Sequence, residues 1–202
     1  MSKTERSPRR PFILASGSPR RRALLRRVVP RFRIVESGVP EPPPRKGEDV
    51  RRYVQHLARR KALAVARRLS SGWVLGADTV VFRRGKIYGK PLDREDAHRI
   101  LSELSGKWHE VYTGLALAQR PGKKVWSMAV RTRVLMRVFS PETLRRFSVR
   151  NRDKAGAYAA QARGNPFVRR TQGEKDNVVG LPLRGLRHLM ARATAETGEK
   201  VI

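Results

Sequence analysis

Apolar and polar positions along the chain follow the repeats expected of strands and helices in turn. Near-continuous apolar runs at residues 11–15 and 73–82 predict buried strands, because a strand covered on both faces loses its polar alternation. Residues 110–118 and 125–139 alternate around the turn Pro121-Gly122, which predicts a hairpin. The pattern therefore predicts a sheet with at least one antiparallel pair.

Helical periodicity appears between these strands, at residues 20–29, 48–69, 94–104, 141–150 and 183–194. Asp93 and the pair Ser140-Pro141 stand where an N-cap and a first helical residue are expected. Because strands and helices interleave, we predict an α/β fold with a mixed sheet flanked by helices.

The composition fits one compact unit. The 202 residues are 39% hydrophobic and 31% charged, enough to bury a core. We predict a basic flexible tail over residues 1–10 and a single domain over 11–202. The chain has no cysteine, which removes disulfides, thiolate zinc sites and a cysteine nucleophile. It also has no apolar run long enough to span a membrane, so we predict a cytoplasmic protein without a membrane partner.

The charge is strongly basic: 46 Lys and Arg against 17 Asp and Glu give a net charge of +29. Such a field attracts nucleic acids, anionic membranes or phosphorylated small molecules. An arginine-rich proteome would produce the same composition without any role in binding. Charge alone does not choose among these readings.

The first candidate site lies between the first strand and the first helix, in Ser16-Gly17-Ser18-Pro19-Arg20-Arg21. Ser18 suits the N-cap and Pro19 the first helical position, so free backbone N–H groups face the loop. Such a helix start binds anions, and a polyphosphate would offset the arginines there. An ordinary capped helix in a basic protein is the alternative.

The second candidate site centres on Asp78, inside the apolar strand WVLGADTVVF. A carboxylate buried there needs a cation, a metal or several donors, although a strand-end aspartate bonded to backbone is common. Lys61 follows Leu57 by four residues on the apolar face of its helix, so it either reaches the rim or enters a cleft. Lys90 could reach the same cleft, and Glu41 is either a metal ligand or an exposed loop acid.

Other catalytic motifs are missing from the sequence. The four histidines (His56, His98, His109 and His188) have no metal-ligand spacing, and His109 is interpreted as structural. The chain has no GxxxxGK[ST] motif, which excludes P-loop chemistry.

Six segments, taken in order, resemble the Maf family of nucleotide pyrophosphatases. They span about 170 residues and are ILASGSPRRRALL (13–25), HLARRKA (56–62), LGADTVV (75–81), GKPLDREDAHRILSELSGKWHEVYTGLAL (89–117), DKAGAYAAQ (153–161) and NVVGLPL (177–183). The resemblance implies an inosine-triphosphatase-like fold, with an elongated mixed sheet and two lobes around a cleft. It also implies hydrolysis of a nucleoside triphosphate to the monophosphate and pyrophosphate, a role in cleaning the nucleotide pool.

The resemblance also implies roles for individual residues. It implies a divalent cation, Mg²⁺ or Mn²⁺, and Asp78 as the proton acceptor. We expect Asp78, together with Glu41, to hold that cation or the attacking water. The positions that set specificity in the dTTP/UTP branch correspond to Arg20, Thr79 and Gln161. Other positions that line the family's cleft correspond to Ser16, Arg21, Glu41, Lys61 and Lys90. Of these we expect all but Glu41 to contact phosphate, together with Ser18 of the first loop.

Two features favour the dTTP/UTP branch over the sister branch acting on 7-methyl-GTP. Ala77-Asp78-Thr79 replaces the Ser-Asp-Gln type of that branch, and Lys-Ala-Gly-Ala-Tyr is present at 154–158. Alanines at 159, 160 and 162 replace residues of the usual Tyr-Gly-Ile-Gln-Gly, two of them glycines, which affects base selectivity more than catalysis.

A basic nucleic-acid-binding protein without turnover is the alternative interpretation of the sequence. Non-specific nucleic-acid binding beside hydrolysis, and a homodimer, also stay open.

Overall fold

The computed structural model describes residues 10–149, 155–158 and 166–202. In this part of the chain seven strands form one sheet. They are Phe12–Leu14 (β1), Arg33–Ile34 (β2), Gly72–Arg83 (β3), Lys86–Tyr88 (β4), Trp108–Arg120 (β5), Val125–Met136 (β6) and Val168–Gln172 (β7). The helices are Pro19–Arg26 (α1), Val50–Ala66 (α2), Arg94–Leu104 (α3), Pro141–Ser148 (α4), Lys175–Val179 (α5) and Leu183–Thr197 (α6), with a 3₁₀ turn at Ala155–Ala157.

The sheet is mixed, with strand order β2-β1-β3-β5-β6-β7 and with β4 paired to β3. β1 runs parallel to both β2 and β3, whereas β3, β5, β6 and β7 pair antiparallel in succession. The long strands β3 and β5 pair from Gly72 opposite Arg120 to Phe82 opposite Glu110. This confirms the predicted mixed α/β fold.

Alternation along β3 sends neighbouring side chains to opposite faces of the sheet. Val74 packs in the cluster that contains Ala58, Ala62 and Val65 of α2. Trp73 and Leu75 instead belong to the cluster that includes residues of α1 and α6. The sheet is therefore covered on both faces, which explains why the sequence of β3 is apolar almost throughout.

The long strands carry separate groups of core residues at their two ends. One end packs with α1, α6 and the second half of α2, and the other packs with α3, α4 and the first half of α2. A cavity of about 960 Å³ lies between these ends. The arrangement confirms the expected two lobes around a cleft.

Most predicted elements agree with the structure within a few residues. The helix predicted at 94–104 has those bounds, with the Asp93 side chain accepting a hydrogen bond from the Asp96 backbone N–H as its cap. The helix predicted at 48–69 is shorter, because Asp49 caps it and it ends at Ala66. The strands β2 and β7 and the helix α5 were not predicted.

Arg10 is the one residue of the predicted N-terminal tail that the structure describes. Residues 1–9 of the predicted tail lie outside the described residues, whereas Arg10 donates hydrogen bonds to the Arg120 carbonyl and to Glu199.

Among the described helices, none is both long and apolar enough to cross a membrane.

Candidate active site

The cavity between the lobes is lined by the loop after β1, the segment before α2, the inner face of α2 and the centre of β3. The residues after β4 and the chain around Gly180 complete its walls. Parts of the chain far apart in sequence therefore meet here, and the candidate residues named from the sequence can be compared with their positions.

Asp78 and Lys61 form a buried ion pair at the floor of this cavity. The Lys61 ammonium donates to Asp78 Oδ1 and to Glu41 Oε1, each at 2.6 Å. Asp78 is 5% and Lys61 7% exposed, yet both line the cavity. Lys61 thus enters the cleft. Glu41 is neither an unpaired loop acid nor only a possible metal ligand, because its carboxylate forms an ion pair with Lys61.

Two glycines explain why α2 lies close enough for this contact. A Cβ on Gly76 would stand 2.2 Å from the Ala58 carbonyl oxygen, and one on Gly114 would stand 2.1 Å from the Val54 carbonyl oxygen. Gly114 is the register partner of Asp78 across β3 and β5. The helix backbone therefore rests directly on the sheet at both positions, which brings Lys61 within reach of Asp78.

The charge of Glu41 is set by opposing effects. Burial acts to raise its pKa, but the hydrogen bond and charge of Lys61, helped by Lys90 and Arg21, outweigh burial and lower it. Lys90 Nζ lies 3.9 Å from Glu41 Oε2 on a largely exposed side chain. Both lysines predicted from the sequence are therefore in the cleft, one at its floor and one at its rim.

Tyr53 is a cleft residue that the sequence reasoning missed. Its hydroxyl donates to the Pro42 carbonyl at 2.9 Å, next to Glu41. Burial, followed by the negative charges of Asp78 and Glu41, raises its pKa to about 12. Its spacing of four and eight residues before Leu57 and Lys61 would have placed it on the same helix face.

The loop after β1 adopts the predicted capped turn. The Ser18 side chain accepts a hydrogen bond from the Arg21 backbone N–H at 3.5 Å, and Pro19 begins α1. Ser16 Oγ accepts from the Ser18 N–H at 3.3 Å and from Arg21 Nη1 at 3.2 Å. Ser16, Ser18, Arg20 and Arg21 all line the cavity, so the structure brings the predicted phosphate loop to the same cleft as Asp78.

Thr79 points to the opposite face of the sheet from Asp78. Its hydroxyl oxygen accepts from Arg21 Nη2 at 3.2 Å and lies 2.9 Å from the hydroxyl of Thr113, which donates to the Asn177 carbonyl at 3.3 Å. The hydroxyl donor of Thr79 is free for a base only if Thr113 gives up that donation. Thr113 and Asn177, both fully buried, were missed because their contacts depend on strand register.

Arg21 connects this chain of bonds to the first loop. Besides its contacts with Ser16 and Thr79, its Nε donates to the Gly180 carbonyl at 2.9 Å. Burial lowers the pKa of Arg21, against the opposite effect of Asp78 and Glu41. The guanidinium is therefore held in one orientation at the cleft wall.

A model of the Maf-like protein family matches residues 11–193. The chain belongs to the Maf family. A relative from Pelotomaculum thermopropionicum, named dTTP/UTP pyrophosphatase, is 43% identical over 90% of this chain and 95% of its own length. Relatives of the same name from Myxococcus xanthus and Clostridium perfringens are 44% and 42% identical, over 90% and 86% of this chain and 92% of each relative.

Structural comparison gives a weaker match. The Staphylococcus aureus Ham1 protein aligns with a TM-score of 0.43 at 12% identity, covering 62% of this chain and 71% of that one. Membership of the Maf family rests on the sequence comparisons alone.

The acidic residues of this Maf chain fit a divalent cation only if the substrate supplies ligands as well. No group of three or more His, Asp or Glu side chains in the described residues could hold a metal ion. Asp78 and Glu41 are nevertheless brought together by one ammonium. Mg²⁺ is often bound by one or two carboxylates together with substrate phosphates, which matches this donor set.

Two further predictions concern residues away from the cleft floor. Gln161 lies outside the described residues, so its predicted contact with the base stays a prediction. His109 is 2% exposed and its Nε2 lies 2.9 Å from the Tyr158 hydroxyl. Burial lowers its pKa to about 4, in agreement with the structural role interpreted from the sequence.

Glu36 is an acidic cleft residue that was not singled out. It lies beside Gly17, where an added Cβ would stand 2.2 Å from Glu36 Oε1. No sequence signal separates this acid from other exposed loop acids.

Proposed function

We propose that this chain hydrolyses dTTP, UTP and related pyrimidine nucleotides to the monophosphate and pyrophosphate. One observation carries the proposal: a buried carboxylate, Asp78, opens into a cavity whose walls present Lys61, Lys90 and Arg21. The membership of the Maf family and the names of its relatives support the same activity. The negative charges of a triphosphate would be bound by these cationic side chains. The carboxylate beside them could accept the proton of the attacking water.

The first loop and the two lysines would hold the phosphates. The start of α1 offers backbone N–H groups and a helix dipole that favours negative charge. Arg20 and Arg21 stand at that end, where their charge opposes the dipole until an anion binds. A triphosphate in the cleft would therefore relieve an unfavourable local arrangement as well as gain contacts.

Asp78 would act as general base in the chemical step. Water attacks the α-phosphorus, the bond to the bridging oxygen of pyrophosphate breaks, and the water proton moves to the Asp78 carboxylate. Lys61 fixes the orientation of that carboxylate through its 2.6 Å contact. Lys90, at the cleft rim, would offset charge on the departing pyrophosphate.

A divalent cation would be held by Asp78 and Glu41 together with substrate phosphates. When bound, it neutralises phosphate charge and lowers the pKa of a bound water. Lys61 already contacts Oδ1 of Asp78 and Oε1 of Glu41, so a cation would use Oδ2 of Asp78 and Oε2 of Glu41, the latter in competition with Lys90 at 3.9 Å. Mg²⁺ or Mn²⁺ suits these oxygen ligands.

Base selectivity would rest on Arg20, Thr79 and Gln161. Thr79 would act at least in part through Arg21, whose Nη2 bonds to its hydroxyl. The Thr79 hydroxyl is also bonded to Thr113, so a direct contact between Thr79 and the base would require one of its present hydrogen bonds to change.

A substrate panel tests the function. Pyrophosphate release is measured for dTTP, UTP, CTP, ATP, GTP and 7-methyl-GTP, with Mg²⁺, with Mn²⁺ and with EDTA. We expect dTTP and UTP to give the highest kcat/KM and EDTA to abolish turnover. Preference for 7-methyl-GTP would move the chain to the sister branch, and no release from any nucleotide would contradict the proposal. A cytoplasmic location and a homodimer stay predictions.

A further inference from the structure

Two segments that pack together contain no acidic residue. Residues 50–77 and 111–141 have no Asp or Glu, although the chain has 17 of them. The first segment contains α2, and the second contains most of the β5–β6 hairpin against which α2 packs. We call the outward side of α2 and the hairpin turn at residues 120–124 the acid-free face.

Arginines run along the solvent side of α2. Arg52, Arg59 and Arg67 are exposed, and their spacings of seven and eight residues keep them on one side of the helix. At about 1.5 Å per residue the row is roughly 22 Å long. Within the described ranges none of the three pairs with an acid, and Arg59 instead donates to the Val125 carbonyl and to Ser127.

The hairpin turn extends this row. A cavity of about 340 Å³ separates the end of α2 from the turn, and its walls include Arg67, Arg120 and Lys123. Arg120 is anchored by its Nε to the Leu69 carbonyl at 3.2 Å, and Lys123 is exposed. The contact between Arg59 and the Val125 carbonyl joins the row to the hairpin.

Two other helices, α3 and α6, carry charges of both signs. On α3, Arg99 pairs with Asp96 and Glu103. On α6, Arg192 pairs with Glu196. The acid-free face differs in this way from α3 and α6, whereas residues 10–35, which include α1, also have no Asp or Glu.

We propose that the acid-free face binds the phosphate backbone of a nucleic acid, as a function separate from the nucleotide cleft. A row of about 22 Å is much longer than one nucleotide and is long enough to contact several phosphates of one strand. The exposed large hydrophobic side chains of the described residues are Ile34, Leu92, Val138, Val149 and Ile202. None lies on α2 or the turn, which favours a nucleic acid over a membrane, where apolar side chains would insert.

The test compares two variants with the same net charge. The face variant is R52Q/R59Q/R67Q/K123Q, and the control is R94Q/R145Q/R187Q/K200Q, which removes four exposed cations elsewhere. Binding to fluorescein-labelled 20-base-pair DNA and to single-stranded RNA of 20 nucleotides is measured by anisotropy over a salt series. Thermal unfolding verifies that both variants fold.

We expect the face variant to lose at least about tenfold in affinity at ~150 mM salt, with a salt slope less negative by about 2 to 4. The control should lose no more than about threefold. Loss on the DNA alone or the RNA alone identifies which nucleic acid the face binds. Equal losses in both variants, no binding by the wild type, or tighter binding to vesicles containing phosphatidylserine would overturn the proposal.

Discussion

The ammonium of Lys61 lies 2.6 Å from the carboxylate of Asp78, and both side chains are more than nine-tenths buried. An acid in an apolar strand is costly unless a partner compensates its charge. Lys61 is that partner, and the cavity beside it gives the acid access to a substrate. The pair therefore accounts both for the stability of the strand and for the chemistry proposed at it.

Replacing Asp78 with Asn should lower kcat by about 10²- to 10⁴-fold, the usual contribution of a general base. The shape of the side chain is kept, so the variant should still fold and bind nucleotide. The measurement is pyrophosphate release from UTP, with unfolding followed by circular dichroism. Glu36→Gln is the control, because it removes one negative charge from the same cavity at a side chain without a described bond to Lys61. Wild-type turnover in Asp78→Asn would remove this residue from the mechanism.

We expect Thr113 to help position Arg21, because it bonds to Thr79 and Thr79 accepts a hydrogen bond from Arg21. Replacing Thr113 with Val keeps its shape but removes both of its hydrogen bonds. We expect KM for UTP to rise by about three- to tenfold with kcat within about twofold, since one hydrogen bond is worth about 1 kcal/mol. The free energy of unfolding should fall by about 1 to 3 kcal/mol.

The matched control for Thr113 is Thr132→Val. Thr132 is equally buried on the neighbouring strand and bonds to Glu174 and Asn177, but not to Thr79. It should lose similar stability while KM stays unchanged, and Thr113→Ser should restore the wild-type KM. A rise in KM for both valine variants would show that general loosening of the sheet, and not the position of Arg21, is responsible.

Gly76 and Gly114 should not tolerate a side chain. Alanine at either position would place its Cβ within 2.2 Å of a backbone atom of α2, which forces the helix away from the sheet and Lys61 away from Asp78. We expect each variant to lose about 3 kcal/mol of unfolding free energy, measured in urea, and to lose activity. Gly89→Ala is the control, since nothing lies within 4 Å of its Cβ and its φ is not positive. Equal stability of all three variants would contradict the close contact.

The sequence predicted the parts of the site that depend on local pattern. Asp78 was conspicuous because it interrupts an apolar run, and Lys61 because it follows Leu57 on an apolar helix face. The bonds from Thr79 to Thr113 and Asn177 were out of reach, because they depend on the register of β3 with β5 and on where α5 packs. The short strand β2 escaped because both of its residues are exposed, and β7 because its burial does not alternate.

His109 should make the protein less stable as the pH falls. Its pKa is about 4 in the folded protein against 6.5 as the ordinary value, so between these limits the unfolded chain binds a proton that the folded protein does not. Stability is therefore complete above pH 6.5 and declines toward pH 4, by about 3 kcal/mol in total at 1.36 kcal/mol per pKa unit. Urea unfolding at pH 7.5 and 4.5 measures most of this loss. His109→Gln is less stable at neutral pH, because it disturbs the contact with Tyr158, but its stability should change with pH by about 2 to 3 kcal/mol less than that of the wild type. His188→Gln, at an exposed histidine, should keep the wild-type dependence, and an unchanged dependence in His109→Gln would mean that carboxylates or another histidine cause the loss.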